Sequence, residues 1–209
     1  MCTLSGKMRC SSTVDVKVGV LALQGDVSEH IDAFFLALSQ RGCGSSGTVI
    51  EVRSPEDLVG CAALAIPGGE STTICRLIEK NQLYEPIRHF HGGIFATCAG
   101  MVIVASRVDD PRIRPLGLIN MTVDRNAFGR QRESFEADIP VDGLSGQPFH
   151  AVFIRAPVAT AVDDNVRVLA QVEQGIVAVE CGKHMALAFH PELGGDTRLH
   201  ERFLQACGI

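Results

Sequence analysis

The sequence predicts a doubly wound α/β fold, with a mostly parallel sheet and an antiparallel extension in its C-terminal half. Three observations predict it. In the first half, short continuously apolar runs alternate with amphipathic helical stretches, as expected of strands covered on both faces. Two loops rich in small residues follow such runs directly, at the carboxyl ends where open parallel sheets place their ligand crevices. In the second half, apolar runs are separated by turn residues alone, which suits antiparallel strands.

The first strand is read at 17–23, where every residue after Lys17 is apolar or glycine. A helix follows. Asp26 stands where an N-cap belongs, Glu29 three residues later completes a capping box, and Ile31, Phe34, Phe35 and Leu38 fall at helical spacing. The connection 41–47 is rich in Gly and Ser and reads as flexible. Residues 48–52 form the next strand, Ser54-Pro55 opens a helical turn with proline at its first position, and 62–66 form a third strand. Pro67-Gly68-Gly69-Glu70-Ser71-Thr72-Thr73 then leads into a helix that Ser71 or Thr72 could cap. Gly93-Ile94-Phe95 is a strand and 101–105 a helix, with Ala96-Thr97-Cys98-Ala99-Gly100 as the turn between them. Beyond it, strands are read at 116–123, 134–139, 149–154, 166–172, 176–181 and 185–189. A last helix, capped by Asp196, carries Leu199, Phe203 and Leu204.

Composition limits the function. With 209 residues, 46% of them hydrophobic, the chain can bury one sizeable core, so residues 16–209 are expected to form a single domain. A net charge of −5 without any run of Lys or Arg argues against nucleic acid and membrane surfaces as partners. Eight cysteines are scattered without paired ligand spacing, which favours reduced thiols in a cytoplasmic setting over a disulfide scaffold or a metal site. Residues 1–15 lack the apolar stretch of a signal peptide and read as a disordered tail. No apolar run approaches a membrane span.

Four segments carry chemistry. The turn at Cys98 has the form of a nucleophile elbow. Small flanking residues let the chain fold sharply, and the helix N-terminus behind the thiol favours thiolate and oxyanion. For the cysteine alone, a buried core position is the competing reading. The 67–73 loop is either a plain strand-to-helix connection or an anion cradle; no Lys follows, so it is not a nucleotide P-loop. A backbone N–H there could pair with that of Ala99 as an oxyanion hole. His190-Pro191-Glu192 offers a base and a carboxylate able to fix its tautomer, although a lone histidine after a strand is more often structural. The arginines of 124–135 and 153–157 are solvated side chains or a clamp for a substrate carboxylate.

With these segments in hand the chain resembles a known family. Residues 20–25 (Val-Leu-Ala-Leu-Gln-Gly), 67–73, Thr97-Cys98-Ala99-Gly100, 125–135 (Arg-Asn-Ala-Phe-Gly-Arg-Gln-Arg-Glu-Ser-Phe), 153–157 (Phe-Ile-Arg-Ala-Pro) and 189–193 (Phe-His-Pro-Glu-Leu) are similar to the class I, triad-type glutamine amidotransferases. Within that family they resemble the glutaminase subunits that serve pyridoxal 5′-phosphate synthase, which the arginine-rich segment sets apart from other triad glutaminases. The similarity runs from about Lys17 to the C-terminus.

The resemblance implies the flavodoxin-like amidotransferase fold and hydrolysis of L-glutamine to glutamate and ammonia. It implies Cys98 as nucleophile, His190 as base and then acid, and Glu192 as the group orienting the imidazole. It further implies Gly69 and Ala99 N–H groups as the oxyanion hole, and Gly69, Glu70, Ser71, Arg125, Ile154 and Arg155 as the glutamine site. No metal and no cofactor is implied. The partner implied is a barrel-shaped synthase subunit in a hetero-oligomer, which takes the ammonia into vitamin B6 biosynthesis and whose docking organises the loop at Gly68-Gly69. One departure is Ala96, where the family commonly has glycine. Rival readings are a triad glutaminase serving another ammonia-using synthase, and a non-catalytic or redox-sensing protein on the same fold.

Overall fold

The computed structural model describes residues 16–41, 47–125, 127 and 134–209. The expected tail 1–15, most of the 41–47 connection and the arginine-rich stretch 128–133 therefore lie outside the described residues.

Strand β1 (Val16–Leu21) leads into α1 (Val27–Gln40), and β2 (Gly47–Val52) returns parallel to β1. A 3₁₀ turn at Pro55–Leu58 precedes β3 (Ala63–Ile66), followed by α2 (Ser71–Lys80), α3 (Tyr84–Arg88) and β4 (Gly93–Thr97). After α4 (Ala99–Val104) come β5 (Ala105–Val108), β6 (Ile119–Asp124), β7 (Ser134–Ile139), β8 (Phe149–Ile154) and β9 (Val158–Val162). Strands β10 (Arg167–Val172), β11 (Gly175–Cys181) and β12 (His184–Leu187), a 3₁₀ turn at Pro191–Leu193 and α5 (Arg198–Ala206) complete the order.

The main sheet runs β2-β1-β3-β4-β12-β11-β9-β6-β5, with β10 added beside β11, while β7 and β8 form a separate two-stranded ribbon. From β2 to β12 every neighbour is parallel, and β11, β9 and β10 join antiparallel. The predicted parallel sheet with an antiparallel extension is thus the architecture found.

Differences have local causes. Strand β9, after Pro157 and built of Val, Ala and Thr160, carries too little alternation to be read as a strand. The five residues of α3 include Pro86 and show no period. Residues 101–104 are buried on all sides, so α4 has no amphipathic stripe and passes straight into β5. In α1 the buried positions are His30, Phe34, Ala37 and Leu38, whereas Phe35 is 57% exposed. The stripe is therefore turned by one residue from the expected Ile31/Phe34/Phe35/Leu38 set, and it carries a histidine into the core.

That core is continuous across the sheet. Helices α1 and α5 pack together, and Phe34, Phe95 and Phe203 meet edge-on or tilted at centroid distances of 5.2–6.0 Å with His200 among them. Burial pushes the His200 pKa down to about 3, so its neutral ring serves as one more aromatic plate. On α4, a Cβ placed at Gly100 would lie 2.2 Å from the Ile66 carbonyl oxygen; only glycine lets the end of β3 approach this closely.

Candidate active site at the carboxyl ends of four parallel strands

Four adjacent parallel strands end on the same edge, and each delivers one segment of the site. Gln24-Gly25-Asp26 follow β1, Pro67–Glu70 follow β3, Cys98 follows β4, and His190 lies three residues beyond β12. Register makes this possible. Leu187 pairs with Thr97, and the Cys98 N–H donates to the Leu187 carbonyl at 2.8 Å, so the ends of β4 and β12 are laced together.

Cys98 is held at φ 49° and ψ −107°, a positive-φ conformation that costs a non-glycine residue on the order of 1–3 kcal/mol. The strain aims the side chain off the strand, at the N-terminal end of α4. Cys98 is 7% exposed, and its thiol donates to the Ile154 carbonyl at 3.5 Å. Both readings of this cysteine thus hold in part: it is buried, yet its backbone is bent as no ordinary core position requires. Ala96 sits two residues earlier in regular β4 geometry, buried between Ile66 and Ala186.

His190 faces it. Its Nδ1 is 2.7 Å from Glu192 Oε1, and a Cβ placed on Gly68 would lie 2.5 Å from its Cε1 and 3.3 Å from Cys98 Cβ, so the ring and the nucleophile close on the same glycine. Nε2 is buried with no hydrogen-bond partner, and Cys98 is among the groups that act on the ring. The His190 backbone N–H donates to Val152 in β8, which ties the ribbon to the site. Burial disfavours the imidazolium, but interactions with Asp26, Cys98 and Glu192 outweigh it and raise the His190 pKa well above the ordinary range.

Asp26 is the unexpected member. It occupies the N-cap position of α1 but makes no side-chain cap bond, and Glu29 is engaged by Ser28 rather than by a capping box. Its Oδ2 lies 3.3 Å from His190 Nδ1, and this contact lowers the Asp26 pKa. His30, one turn on, is also present: Nε2 is 3.0 Å from Thr97 Oγ1 and 3.4 Å from Glu192 Oε1, and all three side chains are buried. Local capping preference assigns Asp26 to the helix and does not mark His30. Their i, i+4 spacing on a helix that starts at the site edge was the available signal.

The 67–71 loop is anchored rather than loose. The Glu70 N–H donates to Gln24 Oε1 at 3.2 Å, and the Glu70 carboxylate accepts from the Thr72 and Thr73 N–H groups at 3.1 and 2.7 Å. Glu70 is therefore the cap of α2, in place of the expected Ser71 or Thr72. Although desolvation works against it, these bonds lower the Glu70 pKa to about 2. Ser71 opens the helix and is buried. Gly69 lies between Gly68 and the anchored Glu70, and Ala99 is the first residue of α4.

Of the expected clamp residues, Arg125 lies at the end of β6, pairing with Asp110 and with Glu70 Oε1 at 3.3 Å. Ile154 and Arg155 stand at the ribbon's end beside Cys98, Ile154 39% exposed and Arg155 at φ 45°. Among the described residues, the cluster with metal-ligand spacing is Asp26, His190 and Glu192. The imidazole in it is already engaged by both carboxylates. No helix among the described residues is long and apolar enough to cross a membrane.

Comparison with known proteins shows the family of the chain. The family model described as the SNO glutamine amidotransferase family matches residues 20–208. "Pyridoxal 5′-phosphate synthase subunit PdxT" of Methanoregula boonei is 72% identical over 194 residues, covering 93% of this chain and 100% of that protein. The protein of the same name from Methanosphaerula palustris is 65% identical over 196 residues, covering 94% of this chain and all of its own. A crystal structure of a glutamine amidotransferase superposes with a TM-score of 0.80 at 44% identity, covering 92% of this chain and 99% of its own. The chain belongs to the SNO glutamine amidotransferase family.

Proposed function

We propose that this protein is the glutaminase subunit of pyridoxal 5′-phosphate synthase, hydrolysing L-glutamine and handing ammonia to a barrel-shaped synthase subunit in a hetero-oligomer. The observation that carries the reading is the strained Cys98 at the end of β4 facing a His190 whose opposite nitrogen is fixed by Glu192. Relatives that bear the synthase-subunit name at 65–72% identity support the assignment to this synthase over another.

In the proposed reaction the Cys98 thiol passes its proton to His190 and the sulphur attacks the side-chain carbonyl carbon of glutamine, and the oxyanion is received by the N–H groups of Gly69 and Ala99. Each such donor contributes on the order of a hundredfold to a thousandfold in rate. The tetrahedral intermediate collapses as His190 gives a proton to the departing nitrogen, releasing ammonia and leaving a thioester. Water, deprotonated by His190, then attacks the thioester and frees glutamate and the thiol. Glu192 keeps Nδ1 protonated and Nε2 directed at the sulphur. Gly69, Glu70, Ser71, Arg125, Ile154 and Arg155 form the glutamine site. Glu70 acts there through the helix start and the Arg125 guanidinium that it holds.

A chain that released ammonia to solvent would waste glutamine. Exposed Ile154 and Leu193 flank the site and offer apolar surface to the synthase. Residues 16–209 act as one domain, in a cytoplasm that keeps thiols such as Cys61, Cys75 and Cys98 reduced.

The test is glutamate release from L-glutamine with and without the synthase subunit, for the wild type and Cys98→Ala. Stimulation by the synthase and a dead variant are expected. Turnover that survives in Cys98→Ala would sink the mechanism, and full activity without the synthase would sink the coupling.

A further inference from the structure

Helix α1 sends a fully buried histidine between the two halves of the proposed triad. His30 Nε2 is 3.0 Å from the hydroxyl of Thr97, the residue just before the nucleophile, and 3.4 Å from Glu192 Oε1. The residues that face it come from every neighbouring element: Asp26 from the N-cap of α1 and Glu29 from α1, Thr97 and Phe95 from β4, His190 and Glu192 from the segment after β12, and His200 from α5. Burial lowers its pKa and so favours the neutral imidazole, against the opposing pull of Glu192.

The tautomer follows from the partners. A lone pair on Nε2 would oppose the carboxylate oxygen, so the proton belongs on Nε2. Nδ1, which has no partner, is then a bare acceptor rather than a stranded donor, the less costly group to bury. Thr97 accepts the shorter bond. The longer approach to Glu192 is a charge–dipole contact in a region from which water is excluded. Without His30, Glu192 would rely on His190 alone, because its Oε2 has no hydrogen-bond partner.

We propose that His30 is a positioning residue of the triad: its Nε2–H, shared between Thr97 Oγ1 and Glu192 Oε1, fixes the carboxylate that orients His190 to the strand end that carries Cys98. The helix that bears His30 bears Asp26 one turn earlier, so a single element sets both acceptors of the His190 Nδ1 proton. The inference rests on the glutaminase reading above and adds to it a residue outside the three that react.

The test uses the full chain with the synthase subunit and compares wild type, Cys98→Ala, His30→Phe, His30→Gln and Thr97→Val. Phe keeps a ring for packing against Phe95 but deletes the donor, whereas Gln places an amide N–H near the position of Nε2. Steady-state glutamate release, thermal melting and the pH dependence of iodoacetamide alkylation at the Cys98 peptide are read for each. His30→Phe is expected to lower kcat at least about tenfold with KM within about twofold, because misplacement of a reacting group by an ångström costs up to about a hundredfold. It should also alter the pH profile of Cys98 alkylation, and His30→Gln should restore both rate and profile to near wild type. Thr97→Val keeps side-chain shape while removing the hydroxyl, and should lower kcat at unchanged KM, which keeps the idea testable if His30→Phe does not fold.

A folded His30→Phe with wild-type kcat and pH profile would overturn the proposal, as would a His30→Gln no better than His30→Phe, or a Thr97→Val with wild-type kcat. Survival of turnover in Cys98→Ala would instead remove the glutaminase reading itself. A dead Cys98→Ala beside an unaffected His30→Phe removes only this inference.

Discussion

Asp26 gives its carboxylate to His190 and not to the helix it opens: Oδ2 lies 3.3 Å from Nδ1, on the nitrogen that Glu192 holds at 2.7 Å, while α1 starts with no side-chain cap bond. An N-cap bond contributes about 1 kcal/mol to a helix. The protein forgoes it in favour of a second negative charge beside the imidazole.

Asp26→Asn is therefore expected to lower the His190 pKa toward the ordinary value and to move the alkaline limb of the glutaminase pH profile to lower pH. The sign follows from linkage. His190 has a folded-state pKa above its unfolded one, so its stabilising contribution is complete below about pH 6.5 and is lost as pH rises through the folded-state value. Asp26 is depressed, so its contribution is present above the ordinary 3.8 and fades as pH falls through its folded-state pKa. Imidazole NMR titration of both proteins checks the first shift. An unmoved His190 titration in Asp26→Asn would show the contact to be electrostatically idle.

Cys98→Gly should uncouple stability from activity. Glycine adopts φ 49° without the Cβ penalty, so the variant is expected to gain about 1 kcal/mol in urea unfolding while glutamate release disappears. A loss of stability would mean that the elbow stores no backbone strain.

Gly68→Ala places a methyl 2.5 Å from His190 Cε1, and the imidazole has little room to retreat because its side chain is only 4% exposed and bound to Glu192. The expected outcome is a fall in kcat of about a hundredfold, through displacement of the proton carrier, with a melting temperature close to that of wild type. Glutaminase kinetics beside a thermal melt decide it; an active Gly68→Ala would show that the loop yields instead.

Glu70→Ala removes the cap of α2 and one partner of Arg125. Because the side chain is nearly half exposed, the charge itself counts for little, and a destabilisation of about 1 kcal/mol is expected from the lost cap bonds. Wild-type Glu70 adds stability above the ordinary 4.5 that is lost as pH falls through about 2, a dependence the variant should lack. Urea melts at pH 7 and pH 3 measure both effects.

Much of the site was legible because its signals are local. A thiol between small residues at a strand-to-helix junction, a glycine pair after another strand, and His-Pro-Glu after a third each state their own turn geometry, and the strand C-termini then bring them to one edge. Capping was misread at Asp26 and at Ser71 or Thr72. A cap is a contest between local N–H groups and whatever the fold brings near, and at Asp26 the contest was won by a histidine 164 positions away in the chain.

The sequence by itself determined the alternation of strands and helices, the parallel half and its antiparallel extension, and the three side chains proposed to react. Burial period and turn chemistry are properties of neighbouring residues. Only the tertiary structure decided that α1 turns His30 toward Glu192, that Asp26 serves His190, and that Glu70 both caps α2 and holds Arg125. Those choices depend on which strand ends become neighbours in the sheet. The pairing of β4 with β12 and of β1 with β3, by hydrogen bonds between distant segments, is what fixes them.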